Sequence, residues 1–159
     1  MGVAGSGKTT IGQKLSVAAG IPFFDADDFH PPANKEKMKT GQPLNDEDRK
    51  GWLTSINELA KEQSEKNGAI IACSALKEKY RTALSSGIKV PVHWILLQGS
   101  FEMIQARMKA RKEHFMPASL LQSQFDTLET PGNAIVMDIK TGPDEIVADI
   151  LRKIKLTVD

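Results

Sequence analysis

The sequence predicts an α/β fold in which a parallel sheet of five strands lies between helices on both faces, three layers in all. Helical and strand patterns alternate from end to end, as parallel strands joined by crossover helices require. The strand patterns are short and apolar without alternation, which suits strands covered on both sides. Finally, Gly2-Val3-Ala4-Gly5-Ser6-Gly7-Lys8-Thr9 fits G-x-x-x-x-G-K-[ST], a phosphate-binding loop that hangs from the carboxyl end of a sheet strand and opens a helix.

The loop begins at residue 2, so only Met1 stands where a strand should precede it. The expectation is four strands within the sequence and a first strand upstream of Met1, with Met1 at its end. The first helix carries Ile11, Leu15 and Ala18 on one face and stops at Gly20, a natural left-handed cap. Ile21 to Phe24 reads as a short strand ending at Asp25. After a Pro-rich stretch, Asn45 caps a helix whose Trp52, Leu53, Ile56, Leu59 and Ala60 share a stripe, closed by Asn67-Gly68. Ala69 to Cys73 is the next strand, and Val92 to Leu97 repeats its pattern.

Ser100 caps a further helix with Phe101, Ile104 and Met108 inward and Arg107, Arg111 and Lys112 at its end. Pro117 suits the first turn of another, with Leu120, Leu121, Phe125 and Leu128 as apolar positions and Pro131-Gly132 as the stop. Ala134 to Met137 is the last strand. Pro143, Asp144 and Glu145 open a final helix with Ile146, Val147, Ile150, Leu151 and Ile154 inward.

Composition limits the function classes. The 159 residues suit one domain, 1–159, and 40% hydrophobic with 26% charged residues is ordinary for a globular protein. A formal charge of +1 gives no general attraction to nucleic acid. No apolar run approaches the ~20 residues of a membrane span, and no signal-peptide pattern opens the chain, so a cytoplasmic location is expected. The lone Cys73 excludes an internal disulfide and a multi-cysteine metal site, and reads as a packing residue. Trp52 and Trp94 read as core.

The phosphate loop nearly fixes the donor chemistry. Backbone N–H groups from Gly2 through Thr10 can ring a polyphosphate, Lys8 reaches its outer phosphates, and Thr9 offers a hydroxyl to Mg²⁺. What sits opposite is expected from the loops after the strands. Asp25-Ala26-Asp27-Asp28-Phe29-His30 supplies carboxylates. If the strand conformation persists, Asp25 and Asp27 point the same way, one toward the metal's shell and one toward an acceptor hydroxyl. His30 binds substrate or fixes its loop. Lys77 and Arg81, one helical turn apart, face an anionic substrate or form a solvated helix face. Arg107 and Arg111, on one helical face, form a lid over phosphates or favourable cations at a helix carboxyl end.

Together these motifs resemble the gluconate kinase family, small phosphate-loop kinases related in fold to shikimate and nucleoside monophosphate kinases. The resemblance rests on Gly2 to Thr9, on Asp25-x-Asp27-x-x-His30-Pro31 with Asn34 and Lys37-Met38, and on Gly41-x-Pro43-Leu44-x-Asp46-x-Asp48-Arg49-x-x-Trp52-Leu53. It continues through Cys73-Ser74-Ala75-Leu76-Lys77-x-x-Tyr80-Arg81, Arg111-x-x-His114-Phe115 and Gln124-Phe125-x-Thr127-Leu128-Glu129-x-Pro131. It implies a three-layer P-loop kinase fold with a lid around 107–117. The implied activity is ATP-dependent phosphorylation of D-gluconate to 6-phosphogluconate, with Mg²⁺, usually by a cytoplasmic homodimer. By the same resemblance, Gly5 to Thr10 hold ATP and Mg²⁺ and Asp27 takes the acceptor hydroxyl; apart from it, the lack of an acidic residue at Cys73-Ser74 leaves Thr9 and Asp25 on the metal side. His30, Arg49, Lys77 and Arg81 take the acid's carboxylate and hydroxyls, and Lys8, Arg107 and Arg111 act on the transferred phosphoryl group. Glu113 departs from the family's usual small residue before His114-Phe115.

Overall fold

The structure, a computed structural model, describes residues 1–110 and 117–158, with side chains through Lys155. Helix α1 (Lys8–Ala19) springs from the phosphate loop between two left-handed glycines, Gly7 at φ 98° and Gly20 at φ 68°. The Gly20 N–H donates to the Ser16 carbonyl and closes the helix where the sequence predicts. Ile11 and Leu15 are buried, but Ala18 is exposed, as is Val17 at 86%, where both line a shallow open cavity with Asp144 and Val147.

The four strands within the sequence all form, each starting later than expected, and β3 and β4 run one residue past the expected ends, to Gln98 and Asp138. β1 (Phe23–Asp25) pairs in parallel with β2 (Ile70–Ala72), Phe23 opposite Ile70. β3 (Ile95–Gln98) pairs in parallel with β4 (Ile135–Asp138), Ile95 opposite Ile135. Among the described residues these are two two-stranded sheets, not one sheet of five. Met1 and Gly2 lie between them. Met1 N donates to the Ile95 carbonyl at 2.6 Å, Leu97 N–H donates to the Met1 carbonyl at 3.0 Å, and Gly2 N–H donates to the Ser74 carbonyl at 3.2 Å. One residue bonded to β3 and the next bonded beyond the end of β2 make contacts on both sides but no strand ladder.

The Pro-rich stretch holds structure that its sequence pattern does not reveal. A 3₁₀ turn, Ala26–Phe29, is followed by α2 (Pro32–Lys39), started by Pro32 in its first turn. Only Asn34 of α2 is buried, so no apolar stripe announces the helix. α3 (Asp46–Ser64) begins at a full capping box in which Asn45 and Asp48 satisfy each other's backbone N–H. Then follow α4 (Glu78–Ser85), α5 (Phe101–Ala110), α6 (Ala118–Thr127) and α7 (Pro143–Val158).

Two apolar clusters hold the chain together. One joins Val3, Ile11, Leu15, Leu97, Ile104, Leu121, Ile146 and Ile150, so the phosphate loop, α1, β3 and α5 to α7 share it. The other joins Ala26, Trp52, Leu53, Ile56, Cys73, Tyr80 and Leu84, with Trp94 packed against it. The second cluster seats α3 and α4 around the carboxyl ends of β1 and β2. Burying these side chains supplies on the order of 1.5–3 kcal/mol for each large one, and it fixes where the polar loops emerge.

Candidate active site

The phosphate loop is shaped by glycines that no other residue replaces without strain. Gly2 has φ 136°, Gly5 φ 75° and Gly7 φ 98°. A Cβ on Gly2 would stand 2.8 Å from the Leu97 carbonyl, and one on Gly5 would meet Met108 Cγ at 2.7 Å. Helix α5 therefore lies directly on the loop. Lys8 Nζ donates to the Val3 carbonyl at 2.9 Å, folding the lysine across its own loop. Ser6 is buried, and its hydroxyl has no hydrogen-bond partner among the described residues. An orphan hydroxyl buried in the loop suits an oxygen-rich ligand such as a polyphosphate. Val3 is buried in the core, while the Thr10 side chain is exposed on the first turn of α1.

Thr9 Oγ1 donates to Asp25 Oδ2 at 2.8 Å, so the two residues expected on the metal side are adjacent. Hydroxyl and carboxylate oxygens are the donors that Mg²⁺ prefers. Asp25 and Asp27 do not share a strand face. The chain turns into the 3₁₀ segment at Ala26, and Asp25 Oδ1 accepts from the Asp27 N–H at 3.1 Å, capping it. The turn lets Asp25 face Thr9 while the largely exposed Asp27 carboxylate sits 3.8 Å from His30 Nε2.

His30 is 6% exposed and stacked on Trp52, with ring centroids 4.2 Å apart and planes 13° from parallel. Trp52 is fixed in turn by donating Nε1–H to the Ala26 carbonyl at 2.7 Å. Burial, with Arg49 and Lys35 nearby, lowers the His30 pKa to about 4, so the ring is neutral at pH 7. Its Nδ1 and the Arg49 Nε are buried without hydrogen-bond partners among the described residues. The Arg49 guanidinium lies over the Tyr80 ring, 5.3 Å from its centroid.

Lys77 stands at the N-cap of α4, 3.5 Å from Asp46 Oδ1 and 5.6 Å from the Tyr80 centroid. Hydrogen bonds from Lys79 and from the Tyr80 hydroxyl hold the Asp46 carboxyl well below the usual carboxylate range. Burial first, and then the bond to Asp46, push the Tyr80 phenol up to about 12. Asp46 therefore gathers Lys77, Lys79 and Tyr80 beside Arg49. The sequence motif contains Asp46 but does not reveal this role.

Arg81 does not face the cleft with Lys77. It is 3% exposed, and its Nη1 donates to the carbonyls of Ala75 at 2.8 Å and Leu76 at 3.2 Å, while Nη2 meets Glu78 Oε2 at 2.7 Å. Ala75 has φ 46°, left-handed backbone that an alanine rarely adopts. Lys77 precedes the helix that carries Arg81, so the one-turn spacing does not put them on a common face. Arg107, exposed on α5, donates Nη2–H to the Ile139 carbonyl at 2.6 Å, beyond the end of β4. Arg111, Glu113 and most of the expected lid lie outside the described residues. Cys73 is buried, and burial raises its thiol to about 11, which suits packing and not attack.

A family model described as shikimate kinase matches residues 4–155. A probable gluconokinase of Dictyostelium discoideum is 45% identical over 168 residues, covering 98% of this chain and 84% of that protein. The thermoresistant gluconokinase of Escherichia coli (strain K12) is 41% identical over 160 residues, covering 98% and 91%. The chain belongs to the gluconokinase family. A solved gluconokinase structure from Sinorhizobium meliloti 1021 superposes with a TM-score of 0.85 at 36% identity, covering all of this chain and 95% of that one. The α/β P-loop kinase architecture of this gluconokinase relative thus agrees with the fold that the sequence predicts. Sequence reasoning assigned no role to Gln124, whose Oε1 accepts from the Ala4 N–H at 2.7 Å, or to Glu129, although the family motif contains both.

Proposed function

We propose that this chain transfers the terminal phosphoryl group of ATP to the terminal hydroxyl of D-gluconate, giving 6-phosphogluconate. The observation that carries the acceptor side is the pair of orphaned buried atoms, His30 Nδ1 and Arg49 Nε, with the other ring nitrogen of His30 3.8 Å from the Asp27 carboxylate. A polyol acid offers hydroxyls for a neutral imidazole and a carboxylate for a guanidinium.

In this reading Gly2 through Thr10 cradle the phosphates of ATP, and Lys8 leaves the Val3 carbonyl to neutralise them. Thr9 and Asp25 hold Mg²⁺, which supplies charge neutralisation across the phosphates. Asp27 orients the acceptor hydroxyl and takes its proton. His30 stays neutral and hydrogen-bonds the polyol, held flat by Trp52. Arg49 takes the carboxylate, with Lys77 adding positive charge. Arg81 serves by fixing the loop that presents Lys77, a change of role that its burial supports. Arg107 and Arg111 act from the lid segment around 107–117.

The same reading holds that 1–159 is a single domain acting as a cytoplasmic homodimer, with no nucleic-acid partner. Among the described residues no helix is long and apolar enough to cross a membrane. A five-stranded sheet rests on the slot between β2 and β3, where Met1 and Gly2 bond to both sides.

The test is ADP release with Mg-ATP against gluconate, other aldonic acids, shikimate and nucleoside monophosphates. Gluconate should dominate. Turnover of shikimate or a nucleotide without gluconate activity would overturn the acceptor.

A further inference from the structure

Gln124 and Glu129 bear on opposite sides of the cleft. From α6, Gln124 Oε1 accepts from the Ala4 N–H inside the phosphate loop, a bond between residues 120 apart in sequence. Just past the end of α6, Glu129 N–H donates to the Leu76 carbonyl at 2.8 Å, and Glu129 Oε2 accepts from the Glu78 N–H at 2.6 Å. Those two partners flank Lys77. One short segment therefore touches the donor loop at one end and the acceptor loop at the other.

The segment between them is stiff. Phe125 packs edge-on against Phe101, with centroids 5.6 Å apart, and Phe125 and Leu128 both pack against the apolar cluster that holds Val3 of the phosphate loop. Close-packed side chains pass a displacement on and do not absorb it. At the far end the loop has little slack. Arg81 holds the Ala75 and Leu76 carbonyls from below, and Gly2 N–H holds the Ser74 carbonyl. Lys77 lies between the two partners of Glu129, so a displacement of Glu129 bears on its position.

We propose that Gln124 through Glu129 is a positioning strut that transmits nucleotide occupancy of the phosphate loop to the loop carrying Lys77, so that donor binding sets the acceptor side. Filling the loop with polyphosphate draws its N–H groups inward, Ala4 shifts against Gln124, and Glu129 shifts Leu76 and Glu78. The inference rests on the reading of the phosphate loop as the donor site and is independent of which acceptor is used.

Hydrogen–deuterium exchange on the full chain tests it, with Mg²⁺ and a non-hydrolysable ATP analogue added to wild type, Gln124→Met, Glu129→Met and Glu129→Gln. In all four the analogue is expected to protect residues 2–10. In wild type it also slows exchange across residues 74–79 by at least about fivefold, the lower range of typical site–site coupling. Gln124→Met abolishes that distant response. Glu129→Met weakens it, and Glu129→Gln, which keeps an acceptor oxygen for the Glu78 N–H, retains it. A distant response that is absent in wild type, or that persists at full size in Gln124→Met and Glu129→Met, overturns the strut. Failure of the analogue to protect residues 2–10 in wild type removes the donor reading and the strut with it. Absence of gluconate turnover alone would sink only the acceptor assignment.

Discussion

Replacing Arg81 by Met separates a buried clamp from a substrate ligand. The guanidinium is 3% exposed and satisfies two backbone carbonyls, those of Ala75 and Leu76, while its contact with Glu78 reaches a carboxylate that is 71% exposed. The exposed ion pair adds little. Each hydrogen bond from a charged donor contributes about 1.5–3 kcal/mol, and the Ala75 carbonyl, orphaned while that of Leu76 keeps the Glu129 N–H, brings a desolvation cost of about 1–3 kcal/mol. Met fills most of the volume, so the expected loss is about 3–5 kcal/mol, the range found when a buried charged network loses one partner. For a domain of this size that lowers the Tm by roughly 10 °C. Ala75 at φ 46° costs about 1–2 kcal/mol and is held there by the clamp. Ala75→Gly should therefore recover about 1 kcal/mol in the Arg81→Met background. Urea unfolding of wild type and the two variants measures these values, and gluconate KM is taken at a temperature where all are folded. Stability within about 1 kcal/mol of wild type, together with a KM raised tenfold or more, would refute the clamp and return Arg81 to the substrate.

Asp27→Asn should lower kcat by about 10²–10⁴-fold while KM for ATP stays within about threefold; intact turnover in the ADP-release assay would remove Asp27 from proton transfer. His30 is protonated near pH 6.5 when unfolded but only near pH 4 when folded. The unfolded chain therefore gains protons first, and stability falls as pH drops from about 6.5 to about 4, by up to about 3 kcal/mol. The urea midpoint of His30→Gln should fall less than that of wild type across this window, and parallel curves would contradict the assignment. Cys73, buried with its thiol raised to about 11, should resist iodoacetamide in the native protein and react once urea unfolds it, as mass spectrometry can follow. Gly12→Ala places a Cβ 2.4 Å from Phe23 Cε2, so overpacking should destabilise by about 1–3 kcal/mol in urea unfolding, and an unchanged midpoint would mean that β1 gives way freely.

Local physics made part of this chain legible from its residues. The glycines and lysine of the phosphate loop, the Gly20 cap, the Asn45 box and the apolar stripe of Trp52, Leu53 and Ile56 depend on neighbours within a few residues, and each appears as the spacing predicts. Order among the separated motifs was enough to identify the family. Features without a local signature were not visible. Helix α2 buries a single asparagine, and Ala18 follows the right period into solvent.

The charged residues divide most clearly along this line. Sequence could say that Asp27, His30, Arg49, Lys77 and Arg81 carry chemistry suited to a polyol acid, because residue type and motif order are written in the chain. Only the tertiary structure decided which of them stay available. Arg81 is taken by the carbonyls of the loop it supports, Asp25 turns to Thr9 because a 3₁₀ turn interrupts the strand, and Asp46 collects the neighbours of Lys77. Burial and hydrogen bonding to distant backbone set these outcomes, and those partners lie up to 120 residues away, as Gln124 does from Ala4. A side chain's chemistry belongs to its sequence position, whereas its availability belongs to the packing around it.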